Sequence, residues 1–276
     1  MSNVDIKSVI KQQYLRCSQD PVYFMKRFCK IQHPQRGKIK FELYPFQEDV
    51  LTDVADNRFN IILKSRQLGI STLSAGYSLW CMLFKTDYNI LVIATKQTTA
   101  KNLVTKVRVM FENLPSWLKV ECTEKNKLGM AFVNGSQIKA VSASEDAGRS
   151  EALSLLIVDE AAFIRNIREI WTSAQSTLST GGSAIMLSTP NGMGNLFHET
   201  WVKAEEHEND FNTIKLHWTV HPERDQDWRD EQTRQLGVKE AAQECLSGDA
   251  LVDIQDELGN EYKITLKELY AIMETD

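Results

Sequence analysis

Short apolar runs alternate along most of the chain with segments whose apolar residues recur at helical spacing. Several runs have the length and composition of buried β-strands: FNIILK (59–64), NILVIAT (89–95), LSLLIVDE (153–160), SAIMLSTP (183–190) and NTIKLHW (212–218). Helical segments such as STLSAGYSLWCMLF and TTAKNLVTKVRVMFENL lie between them. Because strands that alternate with helices form sheets covered on both faces, the pattern predicts an α/β fold with a mostly parallel sheet flanked by helices.

Other segments complete this pattern. Residues 5–30 mix apolar and charged positions at helical spacing, and KIKFELYPFQEDVL passes from an extended stretch into a helix with Pro45 near its start. GMAFV and SQIKAVSA are joined at Asn134-Gly135, a dipeptide typical of a tight β-hairpin. A helical region rich in tryptophan and charge follows the last strand and ends at Glu244.

Composition narrows the class of protein. Apolar residues make up 42% of the 276 residues and charged residues 25%, as in soluble globular proteins. No run approaches the roughly 18 apolar residues of a membrane span, and the polar N-terminus lacks the apolar core of a signal peptide. The five cysteines are scattered without a CxxC pair, which argues against a disulfide framework or a zinc site. We therefore expect a cytoplasmic protein without a membrane partner.

The net charge of −5 is unevenly distributed. Residues 245–276 hold eight acidic residues and two lysines, a charge of −6, so residues 1–244 carry +1. This near-neutral body does not by itself indicate a nucleic-acid-binding protein, and any contact with DNA would depend on a local patch. Lys96, Lys101 and Lys106 in KQTTAKNLVTK could touch DNA phosphates, although a solvated helix face explains them equally well.

The segment LKSRQLGIST lies between an apolar strand and a helix. A phosphate-binding loop at this place needs exposed backbone N–H groups, a cation for the phosphates and a hydroxyl for Mg²⁺. Gly69 and Ser71 match the end of the GxxxxGKS/T pattern, whereas Ile70 stands at the lysine position and Lys64 at the first glycine position. An ordinary strand–loop–helix turn explains these residues equally well when they are taken alone.

An acidic pair, Asp159-Glu160, ends the apolar strand in LLIVDEAAF. An aspartate at the end of a buried strand can hold Mg²⁺ beside a phosphate loop, and an adjacent glutamate can orient and deprotonate a water molecule. A solvated pair that caps a helix is the alternative. The position of the pair directly after an apolar strand, well beyond the loop in sequence, favours the chemical interpretation.

Two further motifs carry polar residues at places where a nucleotide would lie. IMLSTPNG is a buried strand that ends in Ser188, Thr189 and Asn191, which could sense a γ-phosphate or could be plain turn residues. In LYPFQ, Gln47 offers both a donor and an acceptor to adenine, and an aromatic side chain beside it could pack near the base.

In the order LYPFQ, SRQLGIST, IVDEAAF and STPNG, these motifs resemble the large terminase of tailed bacteriophages over most of residues 20–244. That protein is the ATP-driven motor that pumps DNA into a procapsid. The resemblance implies a P-loop NTPase fold for residues 1–244, with ATP and Mg²⁺ as cofactors. It also implies double-stranded DNA, the phage portal or procapsid and the small terminase as partners, and a homo-oligomer on the portal in the host cytoplasm.

The resemblance implies roles for the residues of the loop. Its nucleotide-binding residues would be Lys64, Ser65, Arg66, Gln67, Gly69, Ser71 and Thr72, together with Gln47 as the residue that contacts adenine. Arg66 lies where members of the family have an arginine assigned to transition-state stabilisation. Some terminases place the lysine at the start of the loop, so we expect Lys64 to replace the lysine missing at Ile70. Ser71 would also hold Mg²⁺, together with Asp159.

The other motifs receive roles in the same way. Glu160 would be the catalytic residue that activates the attacking water. Ser188 and Thr189 would belong to the motif that couples hydrolysis to movement. Arg149, in AGRSEAL, could contact phosphate or DNA, or could be a solvent-facing loop residue.

From Cys245 the sequence is CLSGDALVDIQDELGNEYKITLKELYAIMETD. A cysteine followed by a small polar turn and a β-alternating stretch resembles the first conserved block of inteins, which implies that residues 245–276 are a short β-rich N-terminal fragment of a split intein. Cys245 would then be the splicing nucleophile that attacks the carbonyl of Glu244. The partner would be a C-intein–nuclease polypeptide, because the nuclease domain expected after the ATPase does not fit within these residues. The alternative is an ordinary cysteine in a C-terminal extension.

The sequence therefore predicts an ATP-hydrolysing DNA-packaging motor domain that carries an N-intein for trans-splicing to a separate nuclease-containing half. A second hypothesis is a helicase-like ATPase with an inert tail. A third is a catalytically degenerate nucleotide-binding or assembly module, because an isoleucine at position 70 cannot neutralise phosphate as a lysine does.

Overall fold

The computed structural model describes residues 6–143, 152–245, 251–255 and 261–265. The strands in chain order are β1 Lys30–His33, β2 Gly37–Lys40, β3 Phe59–Lys64, β4 Asn89–Ala94, β5 Cys122–Lys125, β6 Gly129–Phe132, β7 Gln137–Ser142, β8 Leu155–Asp159, β9 Ser183–Ser188, β10 Phe211–Leu216, β11 Leu251–Gln255 and β12 Glu261–Thr265. The helices are α1 Ile6–Gln19, α2 Pro21–Phe28, α3 Pro45–Asp56, α4 Ile70–Phe84, α5 Gln97–Glu112, α6 Ile167–Leu178, α7 Leu196–Glu205, α8 Gln226–Leu236 and α9 Val238–Cys245. In these segments no helix has both the length and the apolarity needed to cross a membrane.

An eight-stranded sheet forms the centre of the fold, in the order β10-β3-β9-β8-β4-β7-β6-β5. The strands from β10 to β7 are parallel, and β6 and β5 extend the sheet as antiparallel strands. This confirms the predicted α/β fold with a mostly parallel sheet. Because parallel strands share one direction, the residues that follow β3, β4, β8 and β9 all lie at the same edge of the sheet.

Alternating side chains of the parallel strands supply two hydrophobic cores, one on each face of the sheet. On β3, Ile62 belongs to the core that packs with α3, α4 and α5, and its neighbour Ile61 belongs to the core that packs with α6 and α7. Both isoleucines are buried. α4 is apolar around most of its circumference because α2, α3 and α5 cover it as well as the sheet.

The N-terminal segment, where the pattern predicts helical structure over about residues 5–30, folds as two helices followed by a strand. Asp20 caps α2, where its side chain accepts a hydrogen bond from the Tyr23 N–H at 2.8 Å, and Pro21 occupies the first helical position. β1 then pairs with the expected extended stretch, β2, as an antiparallel hairpin. β1 was not predicted because it only alternates exposed and half-buried residues.

The predicted apolar runs coincide with β3, β4, β8, β9 and β10, and β6 and β7 form the hairpin predicted at Asn134-Gly135. β5 has no counterpart in the predicted pattern, because it is a polar edge strand with one half-buried residue. α7 is likewise absent from the prediction.

α9 ends at Cys245, so this helix runs across the predicted boundary between residues 244 and 245. Farther along the chain, the backbone of β11 pairs with that of β12 as an antiparallel hairpin, in line with a β-rich tail. The division of the chain into 1–244 and 245–276 stays a prediction.

Gly135 in the β6–β7 hairpin has a φ of +80°, and a Cβ there would meet Asp87 Oδ1 at 2.0 Å. Gly37 in the β1–β2 turn has a φ of +68° with nothing within 4 Å of the same position. We expect Gly135→Ala to lower the free energy of unfolding by about 2 kcal/mol, because the exposed Asp87 side chain must also turn away, and Gly37→Ala, which carries only the backbone strain, by about 1 kcal/mol. Urea denaturation measures both. If both substitutions lower the free energy of unfolding equally, the contact with Asp87 adds no cost at position 135.

Candidate functional site

The loop from Ser65 to Gly69 connects β3 to α4 at the carboxyl edge of the sheet. Gln67 (φ +58°) and Gly69 (φ +77°) have left-handed backbone, which turns the chain sharply before α4 begins at Ile70. The loop therefore ends at the N-terminus of a 15-residue helix, where free backbone N–H groups and the helix dipole favour an anion. This is the geometry that a phosphate-binding loop requires.

Ser71 and Asp159 are in hydrogen-bond contact although they lie 88 residues apart in the chain. The Ser71 hydroxyl, in the first turn of α4, donates to Asp159 Oδ2 at 2.8 Å. Asp159 ends β8 and is only 6% exposed. Burial raises the pKa of the Asp159 carboxyl, and the nearby Lys64 ammonium opposes this rise.

The hydroxyl of Ser71 and the carboxylate of Asp159 fit Mg²⁺, which prefers hard oxygen ligands and keeps several positions for water and phosphate. Across the part of the chain that the structure describes, no group of three or more His, Cys, Asp or Glu side chains could hold a metal by themselves. The pair would therefore supply part of an octahedral shell and leave the rest to phosphate and water.

Lys64 ends β3 and lies close to the acidic pair. Burial lowers the pKa of its ammonium, and the carboxylates of Asp159 and Glu160 oppose this shift. A cavity of about 390 Å³ is lined by Lys64, Arg66, Thr95, Lys96, Thr99, Glu160, Phe163 and Thr189. Ile70, in contrast, is 2% exposed and belongs to the hydrophobic core. A cation for phosphate is therefore available from Lys64 and not from position 70.

Glu160 is held by a hydrogen bond from a neighbouring strand end. Its Oε2 accepts from the Thr95 hydroxyl at 2.7 Å. Thr95 follows β4, and the register pairs Ala94 of β4 with Asp159 of β8, so both strand ends reach the same point. Thr95 is not among the residues predicted for the site. A polar residue at the end of an apolar run, as in NILVIAT, is the pattern that could have identified it.

Ser188 and Asn191 fasten the end of β9 to the segment after Glu160. The Ala162 N–H donates to the Ser188 hydroxyl at 3.2 Å, and the Asn191 side-chain amide donates to Ala162 O at 3.0 Å. Thr189 lies between them and lines the cavity. A displacement of the segment after Glu160 would therefore also move the end of β9, which is the behaviour expected of the predicted coupling motif.

Gln47 is 3% exposed and uses its side-chain amide within the protein. Its Oε1 accepts a hydrogen bond from the Tyr44 N–H at 3.1 Å, and its Nε2 donates to Leu68 O at 2.9 Å. A Cβ on Gly69 would lie 2.6 Å from this Nε2, so the glutamine packs directly against the loop. Gln47 therefore fixes the loop relative to α3. Its contact with adenine stays a prediction.

The structure separates the lysines considered for contact with DNA. Lys96 lines the cavity. Lys106 is half-buried on α5; burial lowers the pKa of its ammonium, and the carboxylate of Asp159 opposes the shift. Lys106 therefore lies near the acidic pair rather than on a fully solvated face. Arg149 lies outside the described residues.

Residues from the C-terminal helical region cover the loop. Arg224 donates to the carbonyls of Arg66 at 3.0 Å and Gln67 at 3.2 Å, and to the Ser65 hydroxyl at 3.3 Å. Glu244 forms an ion pair with Arg66, with 2.9 Å between Oε2 and Nε. Nothing in the sequence marks Arg224 or Glu244 as a partner of the loop, because only the tertiary fold brings their segments to it.

Cys245, the predicted splicing nucleophile, is 1% exposed at the end of α9. Burial raises the pKa of its thiol, and the guanidinium groups of Arg229 and Arg224 oppose the rise. A neutral, shielded thiol is a poor nucleophile. The cysteine is therefore not activated by the residues around it in this conformation.

Comparison with protein families decides which family these motifs belong to. The family described as terminase large subunit, T4likevirus-type, N-terminal, matches residues 61–272. The chain belongs to this family. The match includes the loop, the acidic pair and Ser188-Thr189 of this terminase domain, whereas Gln47 precedes it. It also continues past Cys245.

Solved structures of large terminases share the fold of this terminase domain. The ATPase domain of the Thermus phage P74-26 large terminase matches with a TM-score of 0.57 and 22% identity, over 72% of this chain and 92% of that one. The HK97 bacteriophage large terminase matches with a TM-score of 0.67 and 18% identity, over 86% of this chain and 56% of that one. A large terminase from another thermophilic bacteriophage, in complex with ADP, matches with a TM-score of 0.60 and 15% identity, over 77% of this chain and 55% of that one. The chain thus spans just over half the length of the last two proteins.

We expect Ile70→Lys, which restores the lysine of the common loop pattern, to destabilise the fold by about 3 kcal/mol, because it places an ammonium in the hydrophobic core. The matched control Ile70→Val should cost only about 1 kcal/mol because it removes one methylene group. Urea denaturation gives both values. If Ile70→Lys costs no more than Ile70→Val, a side chain at position 70 reaches the phosphate side of the loop after all.

Proposed function

We propose that residues 1–244 are the ATP-hydrolysing motor domain of a phage DNA-packaging terminase. Four side chains with complementary chemistry meet at one edge of the sheet, beside a cavity, and this observation carries the proposal. They are the cation of Lys64, the oxygen ligands of Ser71 and Asp159, and the carboxylate of Glu160. Membership of the terminase family supports it. Further support comes from a thermophilic bacteriophage's large terminase, a protein of the same fold that has been solved with ADP and with ATP-gamma-S.

Each residue has one task in this proposal. Lys64 neutralises phosphate oxygens that the loop N–H groups also bind. Ser71 and Asp159 would hold Mg²⁺, which supplies positive charge to the same oxygens. Glu160 accepts the proton of the attacking water, and the hydrogen bond from Thr95 holds its carboxylate in place.

We extend the proposal from ATP hydrolysis to the movement of DNA and to the partners of the packaging motor. Arg66 would stabilise charge in the transition state, and Ser188-Thr189 would couple hydrolysis to movement of DNA. The partners would be double-stranded DNA, the portal or procapsid and the small terminase, with several copies of the chain on the portal in the host cytoplasm. Family membership supports this part of the proposal.

We also propose that residues 245–276 are the N-terminal fragment of a split intein. The Cys245 sulfur would attack the carbonyl carbon of Glu244, the carbon–nitrogen bond would break, and the freed amine would take up the thiol proton, leaving a thioester. The β11–β12 hairpin supports a β-rich tail. The buried thiol suits a fragment that is inert until a C-intein–nuclease polypeptide binds.

A nucleotide-binding module without turnover is the alternative that one observation favours. Position 70, the lysine position of the common loop pattern, holds an isoleucine inside the hydrophobic core. Such a module would bind ATP and hydrolyse none.

ATP turnover, measured with DNA and procapsid present, tests the motor proposal. Glu160→Gln should lower kcat about 100-fold or more with little change in the Kd for ATP, because the carboxylate acts on the water. Lys64→Ala should raise that Kd about 10-fold, because a charged partner of the phosphates is lost. The matched controls Glu205→Gln and Lys215→Ala, at exposed positions away from the cavity, should change neither quantity.

Two outcomes of these assays would contradict the motor proposal. An unmodified chain that binds ATP without turnover would support the module instead. A Glu160→Gln chain with unchanged kcat would show that another residue activates the water.

Intact mass after mixing with candidate C-intein polypeptides tests the splicing proposal. We expect loss of the mass of residues 245–276 and a new ligated product. Cys245→Ala should abolish this product, and Cys122→Ala, which removes a half-buried thiol elsewhere, should not. An unchanged mass with every candidate would leave residues 245–276 as an extension without splicing chemistry.

A further inference from the structure

The C-terminal tip of α9 binds the loop that we propose binds phosphate. The main-chain carbonyl of Glu244 accepts two hydrogen bonds, from the Arg66 N–H at 2.7 Å and from the Ser65 hydroxyl at 2.9 Å. The carboxylate of the same residue pairs with the Arg66 guanidinium at 2.9 Å. One residue thus engages a backbone donor, a hydroxyl and a side-chain cation of the loop.

The preceding residue extends this contact to the coupling motif. Gln243 Nε2 donates to Pro190 O at 2.7 Å, and Pro190 directly follows Thr189. The α9 tip therefore bridges the ends of β3 and β9, which are neighbouring strands of the sheet. It reaches both motifs that are proposed to respond to the nucleotide.

The groups that Glu244 engages are those that bind phosphate oxygens: a loop N–H, a hydroxyl and an arginine. The Arg66 N–H has one proton, so it cannot donate well to the Glu244 carbonyl and to a phosphate at the same time. The Arg66 side chain is 66% exposed and the Glu244 side chain only 22%, so a more highly charged anion can reach the guanidinium from solvent and displace the carboxylate.

We infer that Glu244 is an internal competitor of the nucleotide phosphates at Ser65-Arg66. The docked tip of α9 lowers the affinity for ATP, and bound ATP releases the tip. This inference rests on the proposed nucleotide site. Because the tip carries the Glu244–Cys245 peptide bond, release also uncovers the Cys245 thiol, so nucleotide occupancy sets when the proposed splice junction is accessible.

Titration of the full chain with ATP-gamma-S and Mg²⁺ tests the competition. Glu244→Gln removes the charge and keeps the main-chain carbonyl, so it should lower the Kd for ATP-gamma-S about three- to fivefold, in keeping with a partly exposed ion pair. Glu240→Gln, an exposed position on the same helix, is the matched control and should leave the Kd unchanged.

Alkylation of Cys245 by iodoacetamide, followed residue by residue with peptide mass, provides a second measurement on the unmodified chain. Saturating ATP-gamma-S should raise the rate at Cys245 several-fold, and Glu244→Gln should raise it without nucleotide. Cys81, fully buried in α4, reports global unfolding and should stay unmodified throughout. The nucleotide-dependent rate needs no variant, so it tests the release of the α9 tip by nucleotide even if Glu244→Gln does not fold.

The outcomes separate this inference from the proposed function. If ATP-gamma-S binds both chains equally and leaves Cys245 protected, Glu244 does not compete with nucleotide, and the proposed function still stands. If neither chain binds ATP-gamma-S, both the competition and the proposed nucleotide site are wrong. Faster alkylation with nucleotide, together with tighter binding in Glu244→Gln, supports the competition.

Discussion

The hydrogen bond from the Ser71 hydroxyl to the Asp159 carboxylate joins the start of α4 to the end of β8. It forms only if β3, the loop, α4 and β8 are all in place, since the two residues belong to different strand–helix units of the sheet. The parallel arrangement makes this possible, because it brings the ends of β3, β4, β8 and β9 to one edge. The proposed chemistry depends on this single convergence.

The charged side chains at the carboxyl edge of the sheet are stabilised mainly by one another, because burial keeps water from most of them. Burial would disfavour the charged form of Asp159, Lys64 and Lys106 if each stood alone, and each is stabilised by an opposite charge among the others or by Glu160. Burying these charged groups lowers the stability of the fold, so the cluster is more easily explained by a function than by a contribution to stability. A phosphate with its Mg²⁺ would add charges of both signs to it, which is the setting in which a half-buried lysine and a buried aspartate have a function.

The same edge is also connected to the C-terminal part of the domain. Glu244 binds the loop, and Gln243 binds Pro190 after the end of β9. Arg224, just before α8, donates hydrogen bonds to three oxygen atoms of the loop. A change in the conformation of the loop can therefore reach Cys245 directly, because Glu244 contacts the loop and is the residue before Cys245. Motor action and the proposed splicing would share this route, although they are unrelated reactions.

The sequence by itself determined the apolar strands, the loop between β3 and α4, the hairpin at Asn134-Gly135 and the positions of Asp159 and Ser188. These follow from neighbouring residues, since apolar runs and turn dipeptides act over a few positions. Hence a polar residue at a strand end was recognisable. The expectation that Lys64 replaces the lysine missing at Ile70 came from the resemblance to terminases. β1 and β5 escaped prediction because polar edge strands have no apolar pattern.

Only the tertiary structure decided which polar side chains meet. The hydrogen bond from Thr95 to Glu160, the half-buried position of Lys106 near Asp159 and the contact of Glu244 with Arg66 each bring together segments far apart in the chain. Their partners are set by strand order and helix packing, which depend on the burial of the whole core and not on any local pattern of residues.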